Sequence, residues 1–429
     1  MDPDGFTGAI LAAEGITDAS VLLNGPLGCK YYHGHLAYRR YSRGEAPGRI
    51  GQHHELGYFG QSRVPCTFLD ENDYIVGSME KLETVLPIVA SSGNGPIIVI
   101  NSAGASLIGD DIEAAARRLG LADRVTAIDS PPFSEPPSRG YHEVISRIVR
   151  DQVGSVRDSA AGRAPVVNLL GLSLMHRHWQ GTVAEMGRIL GLMGLEVGAV
   201  PGAGSGMDAL RSSGQADLNI VLCPEYGRRI ADIYEHEHGV PYLVPSGGAP
   251  LGFDATETFI REVSSVVGVD PVPAIDDLGR ARRAAHDALL SLSVKTEELR
   301  GASFAVRAES SMAYPLTAWL HSYLGMWPEA VEACPGPDVD MHDNTKRFLD
   351  QIGAGSSWMR PIEEADADVV LAEDVLVGHW ISEGRCLSGV GISIPERDAA
   401  WFIPRTYWGT TGSLLLLEDL INGFIGREG

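Results

Sequence analysis

Short apolar, β-branched runs alternate with helical stretches along this chain, and the pattern recurs three times. In the first part, Ala19–Leu23, Ile97–Ile100 and Val125–Ile128 have the composition of buried strands. Helical periodicity fits Gly77–Val89 and Asp110–Leu119 between them. Strands separated by helices of about 10–15 residues are typical of βαβ units and parallel sheets. The sequence therefore predicts an α/β fold.

Two further parts of the chain repeat this alternation. In the second part the predicted strands are Val166–Leu170, Glu196–Val200, Leu218–Leu222 and Tyr242–Val244. In the third part they are Ser303–Ala308, Glu329–Ala333, Val369–Leu371 and Gly391–Ile394, followed by a helix at Thr411–Phe424. We therefore expect three Rossmann-like parallel-sheet subdomains around a central cleft.

The boundaries follow from where each alternating series stops. Residues 1–157, 158–272 and 303–429 are predicted to form the three α/β subdomains, with residues 273–302 as a helical connector. Ligands of parallel sheets gather at the carboxyl ends of the strands. Chemistry is therefore expected where those ends face the cleft.

The charge balance excludes some classes of partner. Acidic residues outnumber basic ones by 56 to 34, giving a formal net charge of −22. Because such a surface repels phosphate backbones and anionic lipids, neither nucleic acid nor membrane partners are expected. No secretory signal or apolar run of ~18 residues is visible, so we expect a cytoplasmic protein. In that compartment five cysteines suggest metal ligands or core residues rather than disulfides.

The first predicted strand leads directly into a glycine–proline turn. Gly25, Pro26 and Gly28 precede Cys29, which is expected at the start of a helix. Exposed amides and the helix dipole should lower the pKa of this thiol and favour the thiolate that iron requires. Amides of the turn could also donate to cluster sulfides.

A second cysteine, Cys66, follows Pro65 and precedes another predicted helix. The chain has no CxxC pair to support a metal site. On composition alone, a free cysteine is more often a small buried hydrophobic side chain than a metal ligand. The residues by themselves therefore leave both interpretations open.

Motifs along nearly the whole chain carry a family resemblance. In chain order they are Gly25–Cys29, Asp70–Leu82, Asn101–Ile112, Leu218–Cys223 with His238–Pro241, Pro245–Phe259 and Arg405–Leu420. Together they resemble the nitrogenase component 1 family, which includes molybdenum–iron protein subunits, dark protochlorophyllide reductase and nickel-sirohydrochlorin reductive cyclase. The chain looks most like a nitrogenase-like reductase rather than a true nitrogenase.

The resemblance implies that Cys29 and Cys66 are metal ligands in a cluster-binding subdomain formed by residues 1–157. Molybdenum–iron subunits have a third cluster cysteine where this chain has Ala103. A four-iron cubane needs four ligands. The resemblance therefore implies a [4Fe–4S] cluster shared between two subunits, in a homodimer or with a paralogous component 1 subunit.

Cys223 matches the position of the cysteine that binds the large nitrogenase cofactor. Ala399 stands near the position of the histidine ligand, which argues against that cofactor here. Cys223 is then a substrate-pocket residue, a ligand of another cofactor, or part of the core. His176 and His178 follow the strand Val166–Leu170 and are either catalytic candidates facing the cleft or ordinary loop histidines.

Other histidines lie between the two cysteines, at His33, His35, His53 and His54. They fit a proton-delivery patch beside the cluster, but a polar interface loop is the favoured interpretation.

The chain has no Gly-x-x-x-x-Gly-Lys-Ser/Thr phosphate loop. This fits the family, in which a separate ATP-hydrolysing iron protein homodimer supplies low-potential electrons. The resemblance thus implies a catalytic component 1 subunit of a two-component oxidoreductase. Its substrate, with a tetrapyrrole among the possibilities, is left open. The alternative function is a scaffold on which a metal cofactor is assembled without turnover.

Overall fold

The computed structural model describes residues 3–30, 64–91, 93–129, 131, 133–154, 163–292, 300–334, 340–394 and 403–425. These ranges contain three separate sheets, and every strand pairing within them is parallel. The predicted α/β class with three parallel sheets is therefore confirmed. Among the helices in these ranges, none combines the length and apolarity needed to cross a lipid bilayer.

The first sheet consists of β1 (Ser20–Asn24), β2 (Ile97–Asn101) and β3 (Val125–Ile128), in that spatial order. Its helices are α1 (Gly5–Glu14), α2 (Leu27–Cys29), α3 (Asp73–Val76), α4 (Met79–Ser91), α5 (Ala103–Ile108), α6 (Ile112–Arg118) and α7 (Pro137–Gln152). Every residue of β2 is buried. A central strand of a parallel sheet covered on both faces needs such a continuous apolar run.

Helix α1 is an element that the sequence pattern does not predict. All 10 of its residues are buried, partly against α7. Because a helix enclosed on all sides has no polar face, it lacks the amphipathic periodicity by which helices are recognised. Asp4 begins the helix, since its side chain accepts a hydrogen bond from the Thr7 amide at 2.9 Å.

The second sheet has the order β5-β4-β6-β7. Its strands are β4 (Val166–Leu170), β5 (Glu196–Val197), β6 (Leu218–Val221) and β7 (Tyr242–Leu243). Its helices are α8 (Trp179–Leu192), α9 (Met207–Ser212), α10 (Pro224–His238), α11 (Gly252–Val267) and α12 (Val272–Ser291), and a 3-10 helix spans Ser213–Gln215. Helix α12 occupies much of the predicted connector.

The third sheet has the order β11-β10-β8-β9. Its strands are β8 (Ser303–Ala308), β9 (Trp327–Ala333), β10 (Val369–Glu373) and β11 (Ser388–Ser393). Its helices are α13 (Ser310–Ser322), α14 (Asp340–Gln351), α15 (Asp374–Glu383) and α16 (Gly409–Ile425), with 3-10 helices at Gly355–Ser357 and Ile362–Glu364.

The second and third sheets meet at the carboxyl ends of their strands. His176, which follows β4, forms an antiparallel bridge with Ser393 at the end of β11. Glu225, which follows β6, accepts a hydrogen bond from Ser310 at the start of α13. One continuous apolar core contains residues from all three sheets. The junction between the second and third sheets is therefore packed with side chains from both.

Candidate functional site

Cys29 and Cys66 are brought together by a short extended segment beside β1. The Leu23 amide donates to the Pro65 carbonyl at 2.9 Å, and the Thr67 amide donates to the Leu23 carbonyl at 3.0 Å. Since β1 leads directly into the turn that carries Cys29, this pairing sets Cys66 against the same turn. The Cys66 thiol donates to the Gly25 carbonyl, with Sγ and O 2.9 Å apart.

The turn itself requires a glycine at Gly25. A Cβ there would lie 2.7 Å from the Cβ and 2.8 Å from the Oγ of Ser102. The same position is 3.9 Å from the Cβ of Cys29, so Gly25 packs against Ser102 and lies next to both cysteines. Pro26 caps α2 with extended backbone, and among the described residues no atom lies within 4 Å of a Cβ added at Gly28. Close packing therefore explains Gly25 but not Gly28.

The predicted lowering of the Cys29 pKa is wrong. Cys29 is the third residue of α2. Burial raises the pKa of the Cys29 thiol, and the nearby Cys66 adds to the increase. Burial also raises the pKa of Cys66, against the opposing effects of the Phe68 amide and Lys30. Metal binding must therefore displace a proton from each thiol.

Within the described ranges, no group of three or more His, Cys, Asp or Glu side chains converges to hold a metal ion. Ala103 begins α5 and carries no thiol. The described part of the chain thus offers two thiols at this site. The histidines predicted between the cysteines (His33, His35, His53 and His54), and Ala399, lie outside the described residues.

Large apolar side chains are exposed on the elements that carry the cysteines and on the helices α3 and α5 of the same sheet. This apolar rim comprises Leu27, Phe68, Ile75, Val76 and Leu107, which are between 50% and 88% exposed. They belong to α2, α3, α5 and the segment that follows Cys66. Several exposed apolar side chains on neighbouring elements are typical of surfaces covered by a partner.

A second cluster lies at the carboxyl ends of neighbouring strands β4 and β6. The Sγ of Cys223 is 3.4 Å from the Nε2 of His176, and both side chains are buried. The Ser173 amide donates to the Nδ1 of His176 at 3.0 Å. In the neutral imidazole this hydrogen bond places the proton on Nε2, the nitrogen that faces the sulfur.

Aromatic rings enclose this thiol–imidazole pair. The His176 ring contacts Tyr226 and Trp408 edge-on, with centroid distances of 5.3 and 5.8 Å. Burial raises the pKa of Cys223 well above its ordinary value. His178 instead packs edge-on against Tyr407 and adopts left-handed backbone at φ 59°. The structure thus joins His176 to Cys223 and places His178 against a different ring.

Glu225, which lies beside this pair, was not predicted from the sequence. One carboxylate oxygen accepts hydrogen bonds from the Ser310 hydroxyl at 2.6 Å and the Ser311 amide at 2.7 Å. Its other oxygen has no hydrogen-bond partner among the described residues. Burial raises the pKa of this carboxyl. Its position directly after β6, next to Cys223, is the signal that could have identified it.

Arg177 was also missed, although both of its neighbours in sequence were candidates. It donates to Asp374 at 2.8 Å and to the Gly391 carbonyl at 2.6 Å. Both charged side chains of this pair are at most 5% exposed. This contact joins the second sheet to the third, on the same loop that carries His176.

Comparison with known proteins gives the same family over nearly the whole chain. Residues 5–422 match the family described as nitrogenase component 1 type oxidoreductase. A light-independent protochlorophyllide reductase subunit from Synechococcus sp. (strain WH7803) is 32% identical over 199 residues, covering 43% of this chain and 36% of that protein. The corresponding reductase subunit from Methylobacterium sp. (strain 4-46) is 32% identical over 183 residues, with 43% and 36% covered. The match therefore spans about a third of the length of these relatives.

Solved structures show a similar fold. The structure titled "Nitrogenase Cp1 at pH 6.5" has a TM-score of 0.77 and 17% identity, covering 100% of this chain and 94% of the other. A second, "Nitrogenase Cp1 at pH 5", has a TM-score of 0.69 and 19% identity, covering 99% and 89%. The family match over residues 5–422, together with this fold, establishes that the chain belongs to the nitrogenase component 1 type oxidoreductase family.

Proposed function

We propose that this protein is the substrate-reducing subunit of a two-component, nitrogenase-like reductase. In this proposal Cys29 and Cys66 hold half of a [4Fe–4S] cluster that is shared with a second subunit. The observation that carries the proposal is the convergence of the two thiols at one turn, bordered by the apolar rim.

The residues present fit such a cluster. The Phe68 amide donates to the Cys66 sulfur at 3.4 Å, a contact that stabilises a ligating thiolate. Lys30 also lowers the pKa of Cys66. In the described part of the chain the Cys66 sulfur contacts the backbone of Gly25 and Phe68, and no carboxylates converge with the two thiols into a larger ligand set, so the donors are soft sulfurs of the kind that suits iron–sulfur clusters. The cluster would supply single low-potential electrons.

The missing ligands point to another protein molecule. A cubane requires four ligands, and two thiols from each of two chains satisfy that number. The apolar rim surrounds the same turn, and burying it at a subunit contact would remove it from water. The partner is a second component 1 chain, either a copy of this one or a paralogue.

Electrons require a separate donor in this proposal. The sequence contains no phosphate loop with which the chain could couple ATP hydrolysis to electron transfer. By analogy with the family, an ATP-hydrolysing iron protein homodimer docks near the cluster and delivers the electrons.

Substrate is proposed to bind at the junction of the second and third sheets, near Cys223 and His176. Support comes from the buried thiol–imidazole pair and from its place at the carboxyl ends of parallel strands. Because Cys223 is fully buried, a substrate or second cofactor that reaches it must displace side chains of the junction. The curated relatives are protochlorophyllide reductase subunits, so a tetrapyrrole is the first substrate class to test.

The primary experiment measures iron bound after anaerobic reconstitution with iron and sulfide, with this chain assembled with its second subunit, whether that is a copy or a paralogue. Wild type should bind about two iron ions per chain, half of a four-iron cubane. A variant with Cys29→Ser and Cys66→Ser should bind none, whereas the matched Cys334→Ser control should bind as much as wild type. Equal iron in wild type and the double variant would refute the cluster.

A second measurement separates enzyme from assembly scaffold. Loaded protein is mixed with an iron protein, ATP and dithionite, and reduction of a tetrapyrrole is followed by absorbance. Turnover supports the reductase. A metal cofactor that accumulates on the chain and then transfers to another protein contradicts it and favours the scaffold.

A further inference from the structure

Tyr74 packs against the backbone at the start of α5, the helix whose N-cap residue, Ser102, lies against Gly25 of the cysteine turn. A Cβ added at Gly104 would be 2.6 Å from the Cε1 and 3.0 Å from the hydroxyl oxygen of Tyr74. The ring therefore covers Gly104 at a distance that leaves no room for a side chain. Helix α3, which carries Tyr74, packs against α5 at this point.

Ser102 connects Tyr74 with the cysteine turn. Its hydroxyl oxygen accepts the Ala105 amide at 3.2 Å and so caps α5. The same side chain lies against Gly25, since a Cβ added there would be 2.8 Å from the Ser102 Oγ, and Gly104, which Tyr74 covers, follows two residues later in the same helix turn. Gly25 lies next to both Cys29 and Cys66. The Tyr74 hydroxyl therefore lies over the helix turn that packs against the cysteine turn.

The protonation state of Tyr74 suits a hydrogen-bond donor. A tyrosine phenol has an ordinary pKa of about 10, so it keeps its proton at neutral pH. It can therefore donate, as a neutral hydroxyl, to a negatively charged group held by the two cysteines.

The first turn of α5 also lacks any thiol of its own. Ala103 precedes Gly104 and ends in a methyl group. Tyr74 belongs to the separate helix α3, and its hydroxyl group lies over this turn. A cluster held by Cys29 and Cys66 would therefore lie close to the Tyr74 phenol.

We propose that the Tyr74 hydroxyl donates a hydrogen bond to a sulfur of the iron–sulfur cluster held by Cys29 and Cys66, and so raises its reduction potential. The inference rests on the proposed function, because it requires the cluster. Hydrogen bonds to cluster sulfur stabilise the more negatively charged, reduced state. Tyr74 would thus help to set how readily the cluster accepts an electron.

The test compares reconstituted wild type with Tyr74→Phe, which removes one hydroxyl from a partly exposed ring. Both proteins should hold the same amount of iron. The midpoint potential, followed by electron paramagnetic resonance during a redox titration, should be more negative in the variant. Resonance Raman bands of the Fe–S modes should shift in D2O for wild type and shift less for the variant.

Two further variants keep the test decisive. Gly104→Ala retains the hydroxyl but must displace the ring, so it should also change the potential. Tyr314→Phe removes a hydroxyl from α13, where the ring packs against Phe348, and should leave the potential unchanged. A wild-type potential in Tyr74→Phe would overturn the inference, whatever the potential of Gly104→Ala.

The outcomes also distinguish this inference from the function on which it rests. If wild type binds no more iron than the double cysteine variant, the proposed cluster fails and the inference fails with it. If wild type binds iron and Tyr74→Phe has the same potential, the inference alone fails. Loss of iron from Tyr74→Phe, with a phenolate-to-iron absorption band in wild type, would identify Tyr74 as a ligand and contradict the hydrogen bond.

Discussion

The Cys223 sulfur and the His176 Nε2 lie 3.4 Å apart in a fully buried site. This contact resembles the thiol–imidazole pairs of nucleophilic sites, but the surroundings differ. Reactive cysteines are accessible and have a lowered pKa, whereas burial raises the pKa of Cys223. The pair is therefore arranged to hold a proton rather than to expose a nucleophile.

A thiol in this state should resist alkylation. In the iron-free folded protein at pH 8, iodoacetamide should modify Cys223 slower than half-buried Cys29 by about tenfold or more, since attack needs an accessible thiolate. Peptide mass spectrometry over time measures both sites in one sample. After unfolding in urea the two rates should become similar. Equal rates in the folded protein would show that the junction opens readily.

The contact between Cys223 and His176 could have been predicted from the sequence. Both residues follow strands that were correctly located, and those strands are neighbours in a parallel sheet, so their carboxyl ends had to meet. The orientation of His178 was not predictable, because it depends on left-handed backbone at a residue that is not glycine.

The cysteine site was predicted less completely. Spacing along the chain does not specify that the segment at Cys66 pairs with the end of β1, because that contact is non-local. The predicted direction of the Cys29 pKa was wrong for a related reason. A glycine turn at a strand end suggests exposed amides, but burial depends on what other segments cover the turn, and here it dominates.

Glu225 should make stability depend on pH. Its folded pKa is raised from the ordinary value of 4.5 by burial, so the folded state binds this proton more tightly than the unfolded state. The resulting stabilisation is fully present below pH 4.5 and is lost as the pH rises through the folded pKa. Glu225→Gln keeps the oxygen that accepts from Ser310 and Ser311 but cannot ionise.

The variant should therefore lose less stability than wild type between pH 4.5 and neutral pH. Urea midpoints followed by circular dichroism at several pH values provide the comparison. The matched control, Glu143→Gln, changes an exposed glutamate on α7 and should retain the wild-type pH dependence. Parallel curves for wild type and Glu225→Gln would mean that the Glu225 pKa is not raised by folding.

The Arg177–Asp374 ion pair should be a major contact between the second and third sheets. Asp374→Ala leaves the Arg177 guanidinium buried without this partner, which should cost about 3–5 kcal/mol. The exposed pair between Lys346 and Asp350 is 2.6 Å long. Asp350→Ala should cost about 0–1 kcal/mol. Urea unfolding compares the two variants, and similar midpoints would show that burial adds little to the first pair.

The apolar rim provides the last prediction. If a second subunit completes the cluster, a charge placed on the rim should separate the subunits without changing either cysteine. Ile75→Asp and Leu107→Asp each put a carboxylate where the partner would exclude water, and an unpaired buried charge is strongly unfavourable. Light scattering after size-exclusion chromatography should show wild type assembled with its partner chain and both variants as single chains.

Ile403→Asp is the matched control, since it replaces an equally exposed isoleucine that lies outside the rim. It should assemble as wild type does. Iron content links the assembly state to the cluster, because a chain that holds two ligands cannot retain a four-iron cubane alone. Ile75→Asp and Leu107→Asp should therefore lose most of their iron, although Cys29 and Cys66 are intact. Single chains that keep the full iron content would instead place all four ligands within this chain.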